Sequence, residues 1–251
     1  MRRWLAYALA GAAMPTLAGL GIRALGRLPG AGAVPHPYGS RAVTAALGHA
    51  TENAVASVTL DQRGFDTLGE EMILLAAATG TVLLLRQLSE ESRQESAHGY
   101  GPEDVFEAVR LVGYLLLPLT LLVGAYVVLH GHLSPGGGFQ GGTILASGLY
   151  LTYLAADYRA VDRLRAPGLV DTAEGAGAFA YVAVGLSGLL AGSGFLANWL
   201  PKGTAGSLLS SGTVPLLNIA IGVEVGSAFV LIVAKFLEQA LLVPEDVAEE
   251  D

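Results

Sequence analysis

Residues 111–129, LVGYLLLPLTLLVGAYVVL, hold no charge and lead directly into residues 130–142, HGHLSPGGGFQGG. Nineteen residues of helix rise about 28 Å at about 1.5 Å each, close to the roughly 30 Å of a bilayer's hydrocarbon core. The second stretch has six glycines and a proline in thirteen residues, a composition that argues against regular helix. Irregular backbone at membrane depth is tolerated only where protein or trapped water satisfies its amides. The two stretches together predict a membrane span that ends in a loop facing water or covered by neighbouring protein.

Working outward, five further tracts are long and apolar enough to span: Trp4 to Ile22, Leu68 to Leu85 (strictly neutral only from Met72), Gly141 to Ala156, Gly175 to Leu200 and Thr213 to Ala234. The fourth span in chain order, Gly141 to Ala156, is short and would extend through its glycines. The stretch from Ala42 to Leu60 is rich in Ala, Val and Leu but carries His49 and Glu52, which suggests an interfacial or re-entrant helix. The expected fold is an all-α membrane protein of about six transmembrane helices plus that element. Composition agrees: 52% hydrophobic and 14% charged residues, against roughly 25% charged in soluble proteins, with a mean hydropathy of +0.52. A soluble globular enzyme is excluded. The opening Met-Arg-Arg and its apolar run also fit a cleaved secretory signal, but nineteen neutral residues closing on Arg23 and Arg27 fit a retained span better.

Basic residues set the expected orientation. Arg2, Arg3, Arg86, Arg93, Arg110, Arg159, Arg163, Arg165 and Lys235 fall on one side of a six-span layout, which places both termini in the cytoplasm. Lys202 and the arginines at 23, 27, 41 and 63 fall opposite and weaken the bias. The polar connection 86–110 divides the chain near Gly99-Tyr100-Gly101-Pro102 into a module at 1–98 and a module at 99–244, followed by an acidic tail at 245–251. That tail holds five carboxylates and no base, and with a net charge of −8 the chain offers nucleic acid nothing to bind.

With no cysteine, thiolate metal sites, iron–sulfur clusters and cysteine nucleophiles are ruled out. The sequence has no nucleotide-binding loop, dinucleotide fingerprint, zinc-protease helix or nucleophilic-serine elbow, so no cofactor and no enzymatic chemistry are expected. No metal site is expected either, because His130 and His132 lack a third ligand. These histidines titrate near about pH 6.5 and are candidate proton relays, or else they cap helix ends and meet water. Glu224 stands eleven residues inside an otherwise neutral span, where an ionisable group costs roughly 2.5 to 3.5 kcal/mol. It is the leading ion-route candidate. Gly222 and Gly226 flank it as a small-xxx-small pair for helix approach, with Asn218 and Ser227 nearby. The alternative is a protonated, buried Glu224 that serves assembly alone.

Asp61, Arg63, Asp66 and Glu70 crowd the start of the second span. Asp61, Asp66 and Glu70 suit the carboxylate-lined mouth of a cation path. They also suit an interfacial ion-pair cluster, with Thr67 and Glu70 forming a helix capping box.

Two motifs resemble a known family. Gly131-His132-x-x-Pro135-Gly136-Gly137-Gly138-Phe139-x-Gly141-Gly142, between two spans, resembles the B-type subunit of the Mrp-type multisubunit sodium/proton antiporters, the MnhB domain family, over about residues 104–240. Asp61-x-Arg63-Gly64-Phe65-Asp66-Thr67-Leu68-Gly69-Glu70 resembles the carboxyl-terminal end of the large A-type subunit of those antiporters, equivalent to the E-type subunit of membrane-bound hydrogenases. The order matches the tail of the A-type chain fused to the B-type chain. The resemblance implies a plasma-membrane subunit of a larger complex that exchanges Na+ for H+, surrounded by lipid and partner subunits. It equally leaves open a scaffold or ion-translocating subunit of a hydrogenase-like respiratory complex. Arg63, Gly64, Phe65, Pro135, Gly136, Gly137, Gly138, Phe139, Gly141 and Gly142 are then structural motif positions, and Asp61, Asp66, Glu70, His130, His132 and Glu224 are ion-route candidates.

Overall fold

A computed structural model describes residues 2–27, 37–85, 106–156 and 168–240, and over these the chain is helical with no strand. The elements are α1 (Arg2–Leu25), α2 (Pro37–Gly48), α3 (Ala54–Ala56) running into a π-helical turn (Ser57–Gln62), α4 (Gly64–Leu84), α5 (Glu107–Leu129), α6 (Gly138–Ala156), α7 (Leu169–Leu190) and α8 (Val214–Ala240). Among the described residues, four helices are long and apolar enough to cross a membrane: Gly64–Leu84, Glu107–Leu129, Leu169–Leu190 and Val214–Leu237. The expected spans at Trp4 to Ile22 and Gly141 to Ala156 fall on α1 and α6. Residues 86–105 of the polar connection 86–110, the module boundary near Gly99 to Pro102 and the acidic tail lie outside the described residues.

The chain forms two compact units, Met1–Arg41 and Ala42–Asp251. The first contains α1, which keeps Pro15 inside the helix and exposes Met14, Leu17, Leu20, Ile22 and Leu25.

The second unit is organised around α8, which packs on α7, α6 and α4. Of the apolar stretch of α8, 56% is buried, against 17% for α5, so α8 is the axis and α5 an outer helix. Val214, Leu217, Ile221 and Val225 of α8 join Ala56, Leu60, Tyr181 and Leu196 in one core. Small residues bring the helices together, because helix association in lipid depends on close van der Waals packing. A Cβ on Gly142 of α6 would lie 2.9 Å from Gly222 O and Gly226 N of α8, so the small-xxx-small pair flanking Glu224 does admit a neighbouring helix. A Cβ on Gly113 of α5 would lie 2.2 Å from the Ala155 Cβ of α6.

The structure corrects three sequence expectations. The glycine-rich stretch is irregular only up to Gly137, and α6 begins at Gly138, so its last glycines are contact surface rather than loop. Gly136 (φ 144°) and Gly137 (φ 138°) are the positions that need glycine for backbone conformation. The fifth span does not reach Leu200: α7 stops at Leu190, and Gly192 has φ 74°. The chain then folds back, with Ser193 N donating to Gly188 O at 2.9 Å and Leu196 N to Gly185 O at 3.1 Å. Asn198 holds the return, its Nδ2 donating to Ser211 O at 3.0 Å and its Oδ1 accepting from Thr213 N at 2.9 Å. Last, Ala42 to Leu60 is not one helix. It breaks after Gly48, where Ala50 has φ 54°, and restarts at α3 under the Asn53 cap.

Candidate functional site: carboxyl groups at a helix seam

The start of α4 decides which acids turn inward. Tyr181 of α7 donates its hydroxyl proton to Gly64 O at 2.8 Å, and Thr67 Oγ1 donates to Thr59 O at 2.8 Å. These two bonds hold the face Gly64, Thr67, Glu71 and Ala78 against the core, a spacing of three, four and seven residues that keeps to one side of a helix. Glu71 is fully buried and Glu70, about 100° around the helix, is exposed. The expected capping box is absent. Thr67 lies inside α4, and its hydroxyl serves Thr59 instead of the helix's own first turn.

Across the seam, Glu224 of α8 is also fully buried, and the Glu71 and Glu224 carboxyls come together. The α7 backbone presses against Glu224: a Cβ on Gly177 would sit 2.7 Å from the Glu224 Cβ. One turn earlier on α7 is Glu174, 6% exposed and within electrostatic reach of Glu224. None of the four oxygens of Glu71 and Glu224 has a partner at full hydrogen-bond geometry, and Glu174 Oε1 is likewise enclosed and unpaired. An unpaired buried carboxyl oxygen is rare in folded proteins and marks a site that does something other than packing.

The glycine loop sits beside this seam and is held by two asparagines. Asn53 Nδ2 donates to Gly131 O at 2.7 Å and Ser134 O at 2.9 Å, its backbone N donates to His132 O at 3.0 Å, and its Oδ1 caps α3 through Val55 N and Ala56 N. Asn218 of α8 accepts from Gly138 N at 2.9 Å, leaving its buried Nδ2 without a partner. His132 is fully buried, and neither ring nitrogen has a partner at full hydrogen-bond geometry. Burial pushes its pKa below the usual histidine value, the backbone of Ser207 opposes that shift, and His130 adds to it. A cavity of about 80 Å³ opens between Thr59, Glu70, Gly137, Phe139 and Asn218, enough for a few water molecules.

The other sequence candidates lie elsewhere or are already satisfied. The Asp61 side chain is 5% exposed and pairs with His49. Near that pair, Lys202 donates to Leu200 O at 3.0 Å and to Asn198 O; burial lowers its pKa and Asp61 opposes the shift. Asp66 and Arg63 form an exposed pair, with Arg63 Nε donating to Asp66 Oδ2 at 2.7 Å. His130 stacks on Tyr126 with ring centroids 4.0 Å apart, and its Nδ1 lies 3.0 Å from Tyr126 O. Phe65 and Pro135 are exposed, while Phe139 packs on the core. Glu71 and Glu174 escaped sequence reasoning. For Glu71 a usable signal existed, because extending the small-residue face from Gly64 and Thr67 to Ala78 selects position 71 over position 70. Among the described residues no group of three or more His, Asp or Glu side chains is arranged to hold a metal ion.

Residues 108–231 match the model of a domain related to the MnhB subunit of Na+/H+ antiporters. The chain is 37% identical over 89 residues to the B subunit of the Na(+)/H(+) antiporter of Bacillus subtilis, covering 36% of this chain and 59% of that protein. It is 33% identical over 132 residues to the A/B subunit of a probable K(+)/H(+) antiporter of Rhizobium meliloti, covering 45% of this chain but only 13% of that protein. The matched region therefore spans less than two thirds of either antiporter protein. The fold matches a chain of the membrane-bound sulfane sulfur reductase, an archaeal respiratory membrane complex, with TM-score 0.68 and 29% identity over 93% of this chain and 98% of that one. Residues 108–231 of this membrane protein, just under half of the chain, thus resemble the domain related to the MnhB subunit of Na+/H+ antiporters.

Proposed function

We propose that the chain is a membrane subunit of a multisubunit monovalent-cation/proton antiporter, joining a module like the tail of the A-type chain at 1–98 to a module like the B-type chain at 99–244. The observation that carries this reading is the MnhB-related segment, whose last helix brings a buried carboxyl, Glu224, against a second one, Glu71, on α4. Ionisable groups inside membrane spans are costly and belong to ion or proton routes more often than to packing. In this reading Na+ and H+ are the ions exchanged, the partners are the remaining subunits and lipid, both termini face the cytoplasm, and catalysis on a covalent substrate is no part of the chain's work. Glu224 stands on or beside the route. Glu70, at the cavity beside the glycine loop, is a mouth residue, and Asp61 and Asp66, held by His49 and Arg63, shape the surface around it.

A second reading is favoured by one specific observation: the match to the respiratory complex covers nearly the whole of both chains. The same fold would then serve as a scaffold or ion-translocating element next to redox subunits. Everted vesicles carrying the complete gene cluster separate the two. Cation-dependent collapse of a proton gradient without a redox substrate supports the antiporter. Formation of an ion gradient only when a redox substrate is supplied supports the respiratory complex.

A further inference from the structure

Two carboxyl groups, from α4 and α8, meet inside the second unit with a third on α7 within electrostatic reach of Glu224, and their surroundings specify what they hold. Glu71 of α4 and Glu224 of α8 are each fully buried, their carboxyls face one another, and all four oxygens lack partners. Two ionised carboxylates side by side in a water-poor interior repel and lose their hydration together. A proton on one turns an orphaned acceptor into a donor, and the neighbouring carboxylate is the acceptor within reach. The other titratable groups nearby add no neutralising charge. Glu70 precedes Glu71 on α4, Asp171 and Glu174 lie on α7, and the Tyr181 hydroxyl is engaged with Gly64 O. Gly177 of α7 packs its backbone against the base of the Glu224 side chain, where an added Cβ would lie 2.7 Å from the Glu224 Cβ and 2.8 Å from Ala220 O. Glu174 differs from the pair: it is still 6% exposed, one turn from the exposed Asp171, while its Oε1 is enclosed.

We propose that Glu71 and Glu224 form a proton-binding carboxyl dyad between α4 and α8, loaded and unloaded through Glu174. When the dyad exchanges, the O–H bond of one dyad carboxyl breaks, the proton forms an O–H bond on Glu174, and the electron pair stays on the dyad as carboxylate. The inference deepens the antiporter reading by naming the ion this chain's interior holds, yet it does not depend on turnover.

The complex purified through a tag on this chain is recorded by infrared spectroscopy in H2O and D2O at neutral pH. A protonated-carboxyl C=O band that shifts in D2O is expected. The band changes or disappears in both Glu71→Gln and Glu224→Gln and is unaltered in Glu70→Gln. Glu174→Gln keeps the band but slows its exchange in D2O by at least about tenfold. A band untouched by both dyad variants overturns the proposal. So does a wild-type band removed by sodium at constant pH, which would make the dyad a cation site. Where a glutamine variant does not assemble, dicyclohexylcarbodiimide on the wild-type complex decides. It adds to protonated buried carboxyls, and an adduct mapped by mass spectrometry to Glu71 or Glu224 supports the dyad, whereas reaction confined to other positions refutes it. Neither readout requires cation exchange, so failure of the dyad and failure of the antiporter reading are separate results.

Discussion

The acids that begin α4 and the acids at the α4–α7–α8 seam are neighbours in space and opposites in environment. Asp66 is exposed beside Arg63, Asp61 has His49, and Glu70 faces a small open cavity. Glu71, one residue further, is sealed in with Glu224 and finds no conventional partner. A rotation of about 100° around the helix separates the two situations. Acid density along the chain therefore says little about function here, and helix register says a great deal.

The contrast is lost most severely if α7 is pushed away from Glu224. Gly177→Leu forces a side chain into a space where even a Cβ lies 2.7 Å from Glu224, and overpacking of this kind costs about 1–3 kcal/mol or more. The expected outcome is loss of the assembled complex, and co-purification at wild-type yield would show that the seam is looser than the contacts indicate.

Next in size are the acids themselves. Glu71→Gln and Glu224→Gln keep size and hydrogen-bonding capacity, so the complex should assemble while antiport in everted vesicles falls by at least about tenfold, roughly 1.4 kcal/mol in barrier. Glu70→Gln, at the exposed mouth, should lose less of the wild-type rate than either. Equal losses at 70 and 71 would erase the distinction between exposed and interior acids.

Asn53→Ala removes two side-chain bonds to the glycine loop and the cap of α3. At about 0.5–1.5 kcal/mol per bond the loss is about 2 kcal/mol, seen as a lower Tm of the purified complex. An unchanged Tm would mean that the glycine loop is held by its contacts with α8 alone.

His132 tests the same division between buried and exposed groups through pH. Its folded pKa lies below the ordinary histidine value of 6.5, so the unfolded chain takes up the proton first. The stability linked to the neutral ring is complete above about pH 6.5 and declines as pH falls toward the folded pKa. Melting curves at about pH 7.5 and about pH 5.5 should therefore differ less in His132→Gln than in wild type, and parallel shifts in both proteins would contradict this.

A still weaker response belongs to the surface. Arg63→Ala breaks an exposed pair and should change stability by no more than about 1 kcal/mol. A larger loss of assembly would indicate that a partner subunit uses this guanidinium.

Much of the fold was legible in the chain because its signals are local. Uncharged runs at 111–129 and in the tract around Glu224 had to be buried in lipid or protein, and both are helices. The isolated Glu224 was visible for the same reason, as a charge with no neighbour to excuse it. The failures have local causes too. Gly175 to Leu200 read as continuous because apolar composition does not register a helix end made by Gly192 and a return held by Asn198. The fourth span was expected from Gly141, with an extension through its glycines, and its start at Gly138 was not fixed because the chain alone does not show α8 waiting to receive that glycine. Thr67 and Glu70 matched a cap pattern, but the Thr67 hydroxyl found Thr59 instead.

Solvent and class were written residue by residue: uncharged runs of about 20 residues commit this chain to the bilayer, and the two motifs point to one family. Which acid lies inside is a matter of the assembled fold. Glu70 and Glu71 are the same residue type at adjacent positions, and in the sequence only the helical spacing to Gly64, Thr67 and Ala78 separates them. The difference is made by Tyr181, 117 residues from Gly64, whose hydroxyl holds the start of α4. With Thr67 bonded to Thr59, it sets the rotation that turns Glu71 toward Glu224. Long-range hydrogen bonds and helix packing carry that information, and they exist only once the chain has folded.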